Sequence, residues 1–339
     1  MWIASAILAI GIAFGLSRWL ASSSRASHLL DHPNARSLHQ RPIPRTGGLA
    51  VLSGLLAGGL VLSIGLPVIR SSLALLMLGL TPLVLISFLD DRRGVAARWR
   101  LLVHGWAAGS LAATGFVPGA LELPGLPLIL PEGIALLLTL LFVVWMINLY
   151  NFMDGMDGFA GGMAAIGFVA LAWLGRADAG FAAFCLTVAA ASAGFLACNF
   201  PPARLFLGDT GSTTLGFLAA ACSLWGTQAR LFPFWVALLV FSPFIVDATV
   251  TLLRRLLRGE RVWEAHRSHY YQRLVLLGWG HRRTVLAEYA LMLACAGSAV
   301  LAVRLPPVAQ VGLAGIWVGL YGLLLVGVGR LERASGATD

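Results

Sequence analysis

Eleven long apolar runs follow one another along this chain, at about 2–20, 46–66, 71–89, 101–118, 131–150, 159–175, 179–198, 212–228, 232–253, 284–303 and 308–328. An apolar run of about 18 residues or more crosses a bilayer as a helix, because lipid offers no partner for an unbonded backbone N–H or C=O. The pattern predicts an all-α polytopic integral membrane protein with about eleven transmembrane helices, forming a single domain over residues 1–339. Charged residues make up only 12% of the chain, where a soluble protein carries about 25%. No positive stretch precedes the first run, WIASAILAIGIAFGL, so an uncleaved first helix is expected rather than a signal peptide.

Charge assigns the sides. All 24 basic residues are arginine. Twenty of them lie at Arg18, in the loops after odd-numbered runs, or in the C-terminal tail; Arg70, Arg176, Arg230 and Arg304 lie in the others. The positive-inside rule then places the N-terminus in the periplasm and the C-terminus in the cytoplasm. The net charge of +9 is accounted for by these short loops, which argues against nucleic acid as a partner. The four cysteines lack CxxC spacing and sit in or beside apolar runs; they read as helix-packing residues.

The few acids are informative, since an aspartate at the centre of a spanning helix costs about 2.5–3.5 kcal/mol. Asp90 and Asp91 end the third run in FLDDRRG. Asp154 and Asp157 follow the fifth in NLYNFMDGMDGFAGG, and Asp209 precedes the eighth in LFLGDTGS. All five fall on the face assigned to the cytoplasm. Any one could be a helix cap; five together call for a cation among them, and hard oxygen ligands suit Mg²⁺. Asp247, inside the ninth run, is the deepest acid, with pairing to Arg254 or self-neutralisation as its two readings.

Asn148, Asn151, Asp154 and Asp157 are spaced by three, a step that turns 300° on an α-helix. Asn148 and Asp157 therefore cannot share a face, and Gly155 and Gly158 are expected to break the helix near Asp154. Glycines in RTGGLA, MDGMDGFAGG and LGDTGS, with Arg36, Arg41 and Arg45 on the same side, read as a diphosphate site. The longest polar stretch, 254–283, is a basic cytoplasmic loop. In it His266 and His269 are i, i+3 and would share a helical face beside Arg267 and Arg273.

HPNARSLHQRPIPRTGG, FLDDRRG, NLYNFMDGMDGFAGG, CNFPPARLFLGDTGS and AHRSHYYQRL occur in this order. Together they resemble the polyprenyl-phosphate N-acetylhexosamine-1-phosphate transferases, within glycosyltransferase family 4, and most of all the bacterial branch that initiates O-antigen or similar surface polysaccharides. The resemblance implies transfer of an N-acetylhexosamine 1-phosphate from a UDP-sugar to undecaprenyl phosphate, with release of UMP and a requirement for Mg²⁺, for which Mn²⁺ can stand in. It implies Asp209 and Asn151 as metal ligands, and Asp90 or Asp91 as the group that deprotonates or positions the lipid phosphate. Asp154, Asp157, Asn148 and Arg45 would serve the nucleotide-sugar site. Asn199 and Phe206 would contact uridine, with Phe206 stacked on uracil, and His266 and His269 would assist at the diphosphate or sugar. The setting implied is the bacterial inner membrane, with the site on the cytoplasmic face; a homodimer is compatible with it. The rival from another class is a transporter or lipid flippase, which predicts acids spread through the membrane depth.

Overall fold

The computed structural model describes residues 1–22, 29–33, 38, 41–261 and 266–336. Arg36 lies outside the described residues, as do parts of the first and last motifs and of the 254–283 stretch. The chain is helical: α1 (Trp2–Ser22), α2 (Gly47–Gly65), α3 (Arg70–Arg93), α4 (Ala97–Ala113), α5 (Glu132–Phe152), α6 (Phe159–Leu174), α7 (Ala179–Asn199), α8 (Gly208–Gln228), α9 (Phe234–Val240), α10 (Ser242–Leu257), α11 (Tyr270–Leu274), α12 (Gly280–Ala302) and α13 (Pro307–Ala334). Two short antiparallel hairpins complete it: β1 (Leu30–Asp31) with β2 (Ile43–Pro44), and β3 (Ala120–Leu123) with β4 (Leu126–Ile129).

Each apolar run has its helix, and the protein is a multi-pass membrane protein. Seven helical segments are long and apolar enough to cross a membrane, or eight when α9 and α10 count as one broken span. The expected eleven therefore includes three helices, α4, α6 and α8, that fall short of that standard. The ninth run departs further. It was expected to be one helix, but α9 and α10 meet at 81°. Pro243 supplies the reason, because its ring fits the first turn of a new helix and cannot continue an old one.

Lipid gives no hydrophobic drive for helices to associate, so close backbone packing has to hold them. The seam between α1, α2 and α7 shows it. Ser5 Oγ donates to Gly58 O at 2.9 Å and lies 2.7 Å from Thr187 Oγ1. A Cβ at Gly54 would stand 2.5 Å from Ala9 O, and one at Gly194 2.5 Å from Ile10 O. On the other side Ser87 Oγ meets Thr213 Oγ1 at 2.9 Å, joining α3 to α8. All four cysteines are buried and unpaired as disulfides, which fits their reading as packing residues.

The 254–283 stretch is less of a free loop than the sequence implied. Its start belongs to α10, its middle forms α11, and a π-helical turn (Val275–Trp279) leads into α12.

Candidate active site

The C-terminal ends of α3 and α5 and the N-terminal ends of α2, α8 and α12 gather at one end of the bundle. They enclose a cavity of about 250 Å³ whose lining includes Arg45, Asp91, Asn151, Asp154, Asp157 and Asp209.

α8 begins where Gly208 adopts φ +74°. A Cβ there would lie 2.7 Å from Arg45 O and 3.1 Å from each Asp91 carboxylate oxygen, so glycine lets the two strands of chain approach. The cap of α8 comes from another helix. Asp91 Oδ1 accepts the Asp209 N–H at 2.9 Å, and its Oδ2 accepts the Thr210 N–H at 2.9 Å and the Thr210 hydroxyl at 2.6 Å. A carboxylate at a helix N-terminus is also favoured by the helix dipole. Asp91 is buried, with its oxygens committed to this junction.

Asp209 is thereby held in the first turn of α8. Its Oδ1 accepts from Asn151 Nδ2 at 2.8 Å, and Asn151 also donates to Ser212 Oγ at 3.1 Å. Asp90 sits next door, accepting from Val95 N and from Arg100 Nη1, each at 2.6 Å. The same Arg100 nitrogen is 3.5 Å from Asp209 Oδ2, so one guanidinium bridges two carboxylates.

The α5–α6 loop supplies the opposite wall. α5 stops at Phe152, and Gly158 opens α6 with φ +76°, so the helix breaks where the glycines predicted. Asp154 lines the cavity here. Burial, then the Asp209 and Asp91 carboxylates, push its pKa well above the usual carboxylate range. Asp157 faces another way: its Oδ2 accepts the Ala203 N–H at 3.0 Å, and its Oδ1 lies 3.0 Å from His281 Nδ1. Asn199 clamps the loop, accepting from Gly158 N and donating to Leu205 O, each at 2.9 Å. Its amide still borders the cavity, as does Phe206, whose backbone is pinned by Pro44 O and Gly47 N, each at 2.8 Å. Arg45 completes the lining, and its buried Nε has no hydrogen-bond partner among the described residues.

Asp90 flanks the cavity without lining it, and three further expected residues lie elsewhere. Asn148 donates to Val144 O at 2.7 Å and faces His104 Nδ1 at 3.1 Å on α4; the 300° steps have turned it away from the cavity lining. His266 and His269 do come together, with ring centroids 4.8 Å apart. They do so in non-helical chain ahead of α11, not on one helical face, and neither lines the cavity. His269 Nδ1 lies 3.2 Å from Asp247 Oδ1. Burial, then His269 and Arg255, push His266 down to about 4, so at neutral pH it brings no positive charge. Asp247 does not pair with Arg254. It repeats the device of Asp91, accepting the Tyr270 and Tyr271 N–H groups, each at 3.0 Å, at the start of α11.

The glycosyl transferase family 4 model matches residues 73–227, from α3 through α8. A probable undecaprenyl-phosphate N-acetylglucosaminyl 1-phosphate transferase of Bacillus subtilis is 30% identical over 265 residues, which cover 77% of this chain and 73% of the relative. This chain belongs to the polyprenyl-phosphate N-acetylhexosamine-1-phosphate transferase family. A decaprenyl-phosphate N-acetylglucosaminephosphotransferase of Mycobacterium tuberculosis is 29% identical over 315 residues, covering 82% of this chain and 76% of its own. An undecaprenyl-phosphate alpha-N-acetylglucosaminyl 1-phosphate transferase of Escherichia coli K12 is 29% identical over 273 residues, covering 75% and 71%.

Within this member of the transferase family, Arg100, Gln272 and His281 were not legible as site residues. Gln272 and His281 line the cavity, and Arg100 bridges Asp90 to Asp209. A charge partner was to be expected for the aspartate pair, but nothing in the spacing selects Arg100 from its neighbours Arg92, Arg93 and Arg98. His281 stands beyond the last motif and reaches the site only because α12 folds back to it.

The cavity offers oxygen donors of the kind that a hard divalent cation takes. Among the described residues no three His, Cys, Asp or Glu side chains form a metal cage. Mg²⁺ does not require one, since it keeps several waters and binds through one or two carboxylates plus substrate phosphates. Asp209, the Asn151 amide and the crowded Asp154 carboxylate are donors of that kind.

Proposed function

We propose that this protein transfers an N-acetylhexosamine 1-phosphate from a UDP-sugar to undecaprenyl phosphate, releasing UMP and initiating a lipid-linked O-antigen or similar surface polysaccharide. One observation carries the reading: Asp91, Asp154 and Asp209, from three separate segments, border one cavity at the ends of membrane helices. A lipid phosphate at headgroup level and a soluble nucleotide can meet only at such a place. A transporter would spread its acids through the membrane depth, whereas the aspartates here gather at one end of the bundle, and Asp247 in α10 is spent on capping α11.

The reaction joins two anions, so positioning and charge neutralisation carry most of the catalysis. Mg²⁺ held by Asp209 with Asn151 would offset the charge of the donor diphosphate and of departing UMP. Arg45 adds a guanidinium to the cavity wall. Asp91 is engaged by three donors, so we assign it to positioning α8 and assign the acceptor side to Asp90. A phosphomonoester has its second pKa near 6, so little proton remains for Asp90 to remove; keeping Arg100 between itself and Asp209 is the larger service. Phe206 offers a ring for uracil. The cavity falls below the roughly 300–1,000 Å³ of fully enclosing ligand pockets, which suits the reacting diphosphate more than a whole donor. We place the site on the cytoplasmic face of the bacterial inner membrane and count α4, α6 and α8 as spans, giving eleven.

Purified protein with Mg²⁺, undecaprenyl phosphate and a panel of UDP-N-acetylhexosamines tests this. UMP release with one donor, lost on chelation and in Asp209→Asn, is the expected result. No UMP from any donor would overturn it.

A further inference from the structure

A second cavity, of about 380 Å³, lies on the other side of α11 and shares no lining residue with the first. Five arginines line it: Arg254, Arg255, Arg258, Arg267 and Arg273. Among the described residues two acids do, Glu260 and Glu332. Glu260 is taken by Arg255 at 2.7 Å, with Arg258 at 3.9 Å, and Glu332 is taken by Arg273. Among the described lining residues arginines outnumber acids by five to two. Basic residues in the last turn of a helix are ordinary partners for its dipole, which accounts for Arg254 and Arg255. The same holds for Arg273 in the last turn of α11, but not for Arg267, which arrives from the segment before α11.

The guanidiniums are held in place. Arg254 donates to Tyr270 Oη at 2.6 Å, and the Tyr270 ring carries Arg273 at 4.5 Å from its centroid. The apolar side is equally marked. Leu276 and Leu277 line the cavity, and Leu253, Leu256, Leu257 and Leu276 are exposed on the same elements, Leu257 to 79%. Arginines gathered toward a cavity beside leucines bare to the surroundings describe a segment at the bilayer interface.

We propose that this cavity binds the phosphate headgroup of an anionic phospholipid, with its acyl chains along the exposed leucines of α10 and the turn after α11. The site is separate from the transfer cavity and does not rest on the reaction proposed above. It would fasten the α10–α11 corner, whose far side presents Gln272 to the transfer cavity, to the membrane surface.

Native mass spectrometry of the delipidated protein in mild detergent tests this, with phosphatidylglycerol, phosphatidylcholine, inorganic phosphate and UMP as probes. Arg258 and Arg267 are exposed, so Arg258→Gln and Arg267→Gln can be made without opening the core, and an unchanged melting temperature checks that they fold. The expected result is one retained phosphatidylglycerol, poor retention of phosphatidylcholine, and a loss of about fivefold in affinity for each arginine removed. Arg92→Gln, on α3, should bind as the wild type does. Equal retention of both lipids, or unchanged binding in the double variant, would overturn the proposal. So would inorganic phosphate or UMP displacing the lipid at matching concentration, since that makes the cavity a soluble-anion site.

Discussion

Thr210 gives Asp91 two hydrogen bonds, from its backbone N–H at 2.9 Å and from its hydroxyl at 2.6 Å. With the Asp209 N–H, this makes the second acid of the FLDDRRG motif the cap of the GDTGS helix. The neighbouring acid, Asp90, is bound instead to Arg100. Asp91→Asn turns an NH₂ group toward N–H donors at a buried site, at a cost of about 1–3 kcal/mol. Asp90→Asn leaves a half-exposed Arg100 that water can serve. Thermal unfolding in detergent should therefore fall clearly for Asp91→Asn and little for Asp90→Asn, while both lose transferase turnover. The reverse order of melting temperatures would show that Asp91 is not the cap.

Gly155 is set by a close approach rather than by its backbone angle. A Cβ there would overlap Tyr271 Oη, the same hydroxyl that donates to Phe152 O at 3.1 Å. Gly155→Ala should push the α5–α6 loop, with Asp154 in it, away from α11 and cost about 1–3 kcal/mol. Tyr271→Phe alone loses one hydrogen bond, about 1 kcal/mol. Combined, the second change removes the obstacle to the first, so the double variant should be more stable than the two single losses summed. Strict additivity in denaturation measurements would remove Tyr271 from the account.

Much of this architecture was legible because membrane helices announce themselves by length and apolarity, and because acids are too costly in lipid to be placed idly. The gathering of Asp91, Asp154 and Asp209 followed from those two facts, and the break after Phe152 from the 300° step and the glycines beyond it. Neighbouring positions could not be told apart. Asp90 and Asp91 differ by one residue, and only the packing of α3 on α8 decides which reaches an N-terminus. The break between α9 and α10 hid in an unbroken apolar run, where Ser242 and Pro243 were the only marks. The histidine pair was read as helical because i, i+3 spacing is a helix signal, but Asp247 starts the helix at Tyr270, after both histidines.

Burial and two neighbouring carboxylates raise the pKa of Asp154 well above the ordinary value, so its charged form is costly to hold. A group whose folded pKa is raised contributes stability that is lost as pH rises through it. As pH rises through that raised value the wild type comes to work against its own charge here. Asp154→Asn should melt higher than wild type at pH 8 and show the smaller difference at pH 4, while turnover is lost. Such an exchange of stability for activity is common at functional sites. Added Mg²⁺ should raise the wild-type melting temperature and raise that of the variant less. A variant that melts lower at pH 8 would show that the carboxylate is not strained.

His266 carries the opposite sign. Its pKa is pushed down to about 4, first by burial, then by His269 and Arg255, while the unfolded chain keeps a value near 6.5. Between those values the unfolded chain binds more protons, so stability rises with pH across that window and is lost as pH falls from 6.5 toward about 4. His266 also lies 2.9 Å from Ser268 Oγ through Nδ1, a contact that glutamine can keep in part. The melting temperature of the wild type should therefore drop on acidification more than that of His266→Gln, with the two curves converging above pH 7. Parallel curves throughout the window would mean that His266 takes its proton at the ordinary value. The segment before α11 would then carry that positive charge in mildly acid solution, beside Arg255.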